Sequence, residues 1–451
     1  MSADPREGRI GGDGQTSARR DPVADRVAAL HRAHYGALVA PLVRMLENFA
    51  AAEDVAQETF ARALVAWRRD GLPDQPRAWL FRTAKNHALD RRRRAGRWRA
   101  REAALRGSAD AQRDVAGADD FWGRADDDAL RLIFTCCHPS LSEEARVALT
   151  LRTVCGLTSE QVARAFLIQT GTLRQRLVRA QRKIDAAKIP YVVPGDSDLS
   201  ERTSAVLRTV YLLFNEGYAR PGDPEACRLC EEAIRLGRRL IALLPGPSGA
   251  EGLLALLLLQ HARYEARAAA GGELVTLEAQ DRTLWDRVAI DEARPLVEVA
   301  LRARPPLPFA IEAAIAALHA HATRPEDTDW PQIAALYAVL AVDGNPVVAL
   351  NHAIAVAMAG DVAGGLARLE QLAPQLPDYH LLPAARADLW RRQGAPEKAR
   401  RAYREALALA PDGPDRRFLE RRLRALGPDP EEKWEKDLRA VDETGARSSS
   451  R

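Results

Sequence analysis

Residues 157–184 read LTSEQVARAFLIQTGTLRQRLVRAQRKI, and this stretch decides how the rest of the chain is understood. Thr158 is placed to cap a short helix, with Gln161 three residues on as its capping-box partner. Val162, Ala165 and Phe166 give that helix one apolar face. A corner follows at Leu167, and a second helix begins near Thr170. Leu173, Leu177 and Ile184 recur at helical spacing and should be buried, which turns Arg174, Gln175, Arg176 and Arg179 outward. Two short helices with an exposed Arg/Gln face suit the major groove of duplex DNA, where Arg pairs with guanine, Gln with adenine and further arginines with phosphate. A helical hairpin with a merely solvated basic face fits the same residues.

The charge distribution favours the first reading. Residues 1–190 carry 33 Lys+Arg against 24 Asp+Glu, a net of +9, and the remainder carries 33 against 38, a net of −5. The N-terminal part is therefore the candidate for a polyanionic partner. The 451 residues, 47% hydrophobic, provide for several domains with real cores. Five cysteines do not make a disulfide framework and suit a reducing cytoplasm. No apolar run follows the charged start, and runs such as Leu253–Leu259 are too short to span a bilayer, so a soluble cytoplasmic protein without membrane contact is expected.

Residues 1–20 read as a disordered leader. Helical periodicity then runs from Val23 to Trp67, with Phe60, Leu64 and Trp67 facing a core and Asp54, Gln57 and Glu58 forming an acidic patch on another face. After Pro73 and Pro76 comes RAWLFRTAKNHALDRRRRAGRWRAR, with ten Lys/Arg and one acid, Asp90, between Arg77 and Arg101. Trp79, Phe81 and Trp98 are interleaved with that charge, a combination suited to holding unstacked bases. Residues 101–125 read as a linker, helices resume at Asp127–Cys136, and Ser142 should cap the next. Beyond Pro190 and Pro194 everything reads helical, in segments near 206–214, 226–244, 252–270, 282–303, 309–322, 331–342, 346–359, 362–372, 380–393, 396–410 and 414–426. Ala387, Gly394, Ala399, Tyr403, Ala406 and Pro411 match the spacing of a tetratricopeptide unit, so the expectation is an α-solenoid. The fold class is all-α.

AAEDVAQETFARALVAW, RAWLFRTAKNHALDRRRR and the stretch 141–184 resemble regions 2.2, 2.3–2.4 and 4 of a bacterial sigma factor of the extracytoplasmic-function type. YLLFNEGYAR, CEEAIRLGR, DTDWPQIAALY and NPVVALNHAIAVAM are similar to the subgroup with a large C-terminal tetratricopeptide-like extension. The resemblance implies region 2 at 21–100, a linker at 101–125, region 4 at 126–189, a helical regulatory domain at 196–440 and a disordered tail at 441–451. It implies RNA polymerase core, through the β′ clamp and β flap, and promoter DNA as partners, with an unidentified partner for the C-terminal domain. Asp54, Gln57 and Glu58 would dock on the clamp; Trp79, Arg82, Lys85, Asn86, Arg91 and Arg92 would act at the −10 element, with Asp90 beside them; Thr172, Arg174, Gln175, Arg176 and Arg179 would read the −35 element. No catalytic residue, metal or cofactor is expected. Cys136, Cys137 and His138 point in different directions on a helix end, and Cys227 with Cys230 suits core packing better than redox chemistry. Asn215, Glu216 and Tyr218 form a polar cluster, either a buried hydrogen-bonded knot or a pocket.

Overall fold

The computed structural model describes residues 21–106, 125–166, 168–244, 249–269, 273–303 and 305–427. The leader, most of the expected linker, the corner residue Leu167 and the tail lie outside the described residues. Eighteen α-helices and no strand occur among the described residues; the one β-bridge joins Ala268 to Leu274.

One compact unit comprises the chain to Cys136 together with Leu149–Thr158 and Leu177–Val193. Its first helix, α1 (Pro22–Leu46), starts where Asp21 accepts hydrogen bonds from the Val23 and Ala24 amides and stops where Glu47 turns left-handed at φ 50°. Asn48 caps α2 (Phe49–Asp70), and α3 (Pro76–Arg106) follows the two prolines. The helix thus runs on through Arg106, past the point where the linker was expected to begin, because Ala- and Arg-rich sequence propagates a helix without needing an apolar face. Leu38, Leu42, Val55, Phe60, Trp67, Leu80 and Phe81 form the core between these helices. α4 (Ala125–Cys136) packs on α1, and its Asp128, with no exposure at all, is held by Arg44 at 2.9 Å and Arg131 at 3.0 Å. Removing either arginine leaves a buried charge short of its partners.

The same unit contains part of the segment expected to form an independent DNA-binding domain. Thr150–Val154 is a π-helical turn, and its backbone comes so close to α1 that a Cβ added at Gly36 would sit 2.4 Å from the Val154 carbonyl oxygen. Glycine is required there for that approach. Tyr191 lies within hydrogen-bond reach of the Ala40 and Asp128 carbonyls, at 2.8 and 3.0 Å.

The second unit comprises Cys137–Ala148, Ser159–Arg176 and the chain from Pro194. Ser142 accepts from the Ala145 amide at the start of α5 (Glu143–Leu149), as its position in the sequence predicts. α6 (Ser159–Ala165) begins directly after Thr158, and α7 (Thr170–Ala186) begins at the expected residue. The array that follows is α8 (Asp196–Tyr218), α9 (Pro224–Leu243), α10 (Ala250–His261), α11 (Arg287–Ala300), α12 (Pro308–His321), α13 (Trp330–Leu340), α14 (Pro346–Met358), α15 (Val362–Leu372), α16 (Leu381–Arg392), α17 (Pro396–Leu409) and α18 (Pro414–Ala425). Successive members pack as pairs, with small residues where they approach: Ala387, Ala399, Ala402 and Ala406 are buried between α16 and α17, and Tyr403 fills the space beside them.

Two expected helices are corrected. The segment 252–270 ends as a helix at His261, and 282–303 begins as one only at Arg287. The intervening chain is a series of 3-10 turns at Glu265–Arg267, Leu277–Ala279 and Arg282–Leu284. Tertiary anchors override local helix propensity here: the Tyr264 hydroxyl lies 3.0 Å from the Arg220 carbonyl, and Arg267 donates to the Tyr218 carbonyl while lying over the Tyr218 ring.

Candidate functional site

On α7 the buried side consists of Leu173, Leu177, Ala180 and Ile184, and all five residues expected to read duplex DNA lie on its exposed surface. Thr172 stands one turn ahead of Arg176, and Arg174, Gln175 and Arg179 continue the polar face. The arginines are not equivalent. Arg174 donates to the Glu160 carboxylate of α6 at 2.7 Å, whereas Arg176 and Arg179 have no carboxylate partner among the described residues. An exposed pair of this kind contributes at most about 1 kcal/mol, so Arg174 can be released to a better acceptor at small cost.

The α3 residues divide differently. Arg82, Asn86, Asp90 and Arg91 are exposed, and Lys85 and Arg92 are half-buried. Trp79 is half-buried edge-on against Trp67, with ring centroids 5.4 Å apart. Phe81 is part of the core, and only Trp98 of the three interleaved aromatics is freely exposed, at 74%. The expectation that all three rings hold bases is corrected for Phe81: aromatic spacing in sequence does not distinguish a ring facing solvent from one facing α1 and α2.

Asp54, Gln57 and Glu58 are exposed together on α2. Asp54 accepts from Arg91 at 3.1 Å, which joins the acidic patch to the basic helix, and Glu58 accepts from Arg62 one turn on at 2.7 Å. Tyr35 of α1 is fully buried, and burial pushes its hydroxyl well above its ordinary pKa. The neighbouring Glu53 was not foreseen: it turns inward, accepting from Thr153 Oγ1 at 3.1 Å and Gln181 Nε2 at 2.9 Å, and ties the π-helical turn and the second half of α7 to α2. Its sequence signal is its place beside Asp54, one residue out of register with the exposed face.

Cys136 and Cys137 are buried and not joined in a disulfide. Cys230 is buried and points its sulfur at the Phe214 carbonyl, in line with core packing. Cys227 meets Glu231 and His261, with their potential ligand atoms all within 4.8 Å of one another. A three-residue group of this kind is one ligand short of a closed structural zinc site, and the thirty-three residues between Cys227 and His261 hide it from spacing arguments. Tyr218 belongs to a hydrogen-bonded knot with Arg263 and Arg267, while Glu216 is exposed.

Among the described residues the chain is all-α, with an exposed Arg/Gln face on α7 and a strongly basic α3, a pattern suited to a DNA-binding protein. Comparison with known proteins gives the class. Residues 30–98 match the model of Sigma-70 region 2, residues 131–184 match Sigma-70 region 4, and residues 202–301 match a family of unknown function, DUF6596. The chain is 32% identical over 155 residues to the RNA polymerase sigma-H factor of Pseudomonas aeruginosa, covering 33% of this chain and 79% of that protein. It is 33% identical over 165 residues to a probable ECF RNA polymerase sigma factor, SigI, of Mycobacterium tuberculosis, covering 37% of this chain and 56% of that one. An uncharacterized protein of Rhizobium meliloti is 41% identical over 394 residues, covering 86% of this chain and 93% of its own length. No solved structure matches the chain. The chain belongs to the extracytoplasmic-function RNA polymerase sigma factors, with a helical C-terminal extension, and directs transcription initiation. The family is not catalytic and its partners are RNA polymerase core and promoter DNA. No helix among the described residues is long and apolar enough to cross a membrane.

Proposed function

We propose that this sigma factor uses three surfaces. Thr172, Arg174, Gln175, Arg176 and Arg179 of α7 read the −35 element as duplex; the observation that carries this is their common exposure above a buried Leu173–Leu177 stripe. Arg82, Lys85, Asn86, Arg91 and Arg92 of α3 form the cationic surface for the opened −10 element, with Trp79 at its edge and Asp90 holding neighbouring arginines in place. Asp54, Gln57 and Glu58 of α2 dock on the β′ clamp, and the region 4 segment at 126–189 meets the β flap. The assigned ranges are region 2 at 21–100, the linker at 101–125 and the regulatory domain at 196–440, the last modulating activity through a partner of its own. The protein works in the cytoplasm, without catalysis.

The docking surface has a direct test. Reversing the charge of Asp54 and Glu58 together (Asp54→Lys with Glu58→Lys) changes two exposed side chains and leaves the core untouched. The expected outcome is loss of retention by purified core polymerase and of run-off transcription, with an unchanged circular dichroism spectrum. Unaltered retention would remove α2 from the interface.

A further inference from the structure

The C-terminal array holds a partly open cavity of about 540 Å³, within the range of sites for small organic molecules. One wall is the segment 273–286, which leaves the helical array and is fastened back to it at several points. Glu278 pairs with Arg392 of α16, Glu273 pairs with Arg421 of α18, and Arg421 also donates to the Leu274 carbonyl at 3.1 Å. Arg282 is the innermost fastening: it donates to the His319 carbonyl at 2.9 Å and to the Ala322 carbonyl, and its guanidinium lies over the Trp285 ring. A wall anchored at this many places is a built surface and not a passing loop.

Three carboxylates and three guanidiniums line the cavity, but they do not pair one to one. The three carboxylates are each taken by an arginine: Asp388 by Arg391 and Arg392, Glu278 by Arg392, and Glu326 by Arg324 at 3.6 Å. Two guanidiniums, Arg282 and Arg422, have no carboxylate partner among the described residues. Arg282 is 8% exposed and its Nε has no acceptor. Burial and the neighbouring cations Arg263 and Arg287 hold Arg282 below its ordinary pKa, opposed by the weaker pull of Asp327 and Glu326, so its charged form is under-compensated. Trp330, Ile354, Met358, Tyr403 and Phe418 supply the apolar and aromatic part of the lining, and Thr276, His319 and Thr328 add polar groups.

We propose that this cavity binds a small amphipathic organic anion, its apolar body against Trp330, Tyr403 and Phe418 and its head, carboxylate or phosphate, held by Arg422 together with Arg282, the two guanidiniums that no protein carboxylate takes. The proposal deepens the regulatory role given above to the C-terminal array, making that role responsive to a metabolite-sized effector, and rests on it for its consequence in transcription. Binding itself is measured without polymerase, so that failure of the site and failure of the regulatory reading remain distinguishable.

The test is calorimetric titration of the full chain with decanoate, decyl phosphate and decanol, three molecules with one body and different heads. One anion should bind saturably at one site per chain, with decanol at least about tenfold weaker, a difference of one decade in Kd. Which of the two anions binds more tightly identifies the head group. Arg422→Gln, at a half-buried position, should weaken the anion about tenfold without altering decanol, and Met358→Trp should remove binding by filling the cavity. Absence of saturable binding by either anion, equal binding of decanol, or an Arg422→Gln chain that binds as tightly as the unaltered one would each overturn the proposal. Circular dichroism of each variant confirms the fold, and Arg422→Gln keeps the test valid should Met358→Trp misfold.

Discussion

Glu312, on α12, is half-buried, and no hydrogen bond or ion pair to it occurs among the described residues. Burial alone raises its pKa from 4.5 to about 7. The surroundings agree: its charge contributes, after burial, to raising Tyr211 and Tyr337, the latter to about 12. Because the folded pKa lies above the unfolded one, the stability this group contributes is complete below pH 4.5, declines once the unfolded chain ionises, and is lost by the time pH has risen through about 7. The shift corresponds to a loss of at most about 3–4 kcal/mol, at about 1.4 kcal/mol per pKa unit, an upper bound because water reaches part of the side chain. Glu312→Gln keeps the shape and removes the titration. It should therefore leave stability near that of the unaltered chain at pH 4 and raise it at pH 8 by up to that amount. Local hydrogen exchange of the Pro308–His321 amides, corrected for intrinsic rates, reads this region without requiring the chain to unfold in one step. A protection difference of the same size at both pH values, or none at pH 8, would refute an unpaired buried acid at this position.

Two further predictions concern the first unit and the proposed DNA-reading helix, α7. Arg176→Ala should lose about 1–3 kcal/mol of affinity for the −35 duplex relative to a scrambled duplex if Arg176 contacts a base, and should weaken both duplexes equally, with a shallower salt dependence, if it contacts phosphate; Arg174→Ala should do the same at smaller cost to the extent that its pair with Glu160 persists in the complex, and unchanged binding by both variants in competition titrations would sink the assigned register. Gly36→Ala should destabilise the chain by about 1–3 kcal/mol, because its new methyl meets the Val154 carbonyl at 2.4 Å, whereas Gly96→Ala on the exposed face of α3, with nothing within 4 Å, should stabilise it by about 0.5–1 kcal/mol; thermal melts giving the two variants the same sign would show that the close approach is not rigid.

The helices were legible because periodicity and punctuation agree over most of the chain. The expected segment 362–372 coincides with α15, and 346–359 and 396–410 each overshoot α14 and α17 by one residue. The segment 262–286 was not legible, since its Ala/Arg-rich sequence favours a helix locally while Tyr264, Arg267 and Arg282 bond to carbonyls contributed by residues as much as forty-nine positions away. The same limit governs the candidate sites. A buried Leu stripe tells which face of α7 is outward, and that is all the amphipathic pattern contains. It does not tell Glu53, bound to Thr153 and Gln181, from Asp54 beside it, nor buried Phe81 from exposed Trp98. Nor does it tell which cations are already engaged. Arg91 is tied to Asp54 and Arg174 to Glu160, so DNA binding by either would first exchange one acceptor for another, whereas Arg176 and Arg179 would meet DNA without a competing carboxylate among the described residues. Because Asp54 lies on the proposed polymerase surface and Arg91 on the proposed −10 surface, engaging the acid on the clamp would release the arginine for DNA. That coupling follows from one 3.1 Å contact between two helices, and no one-dimensional pattern of charge could have contained it.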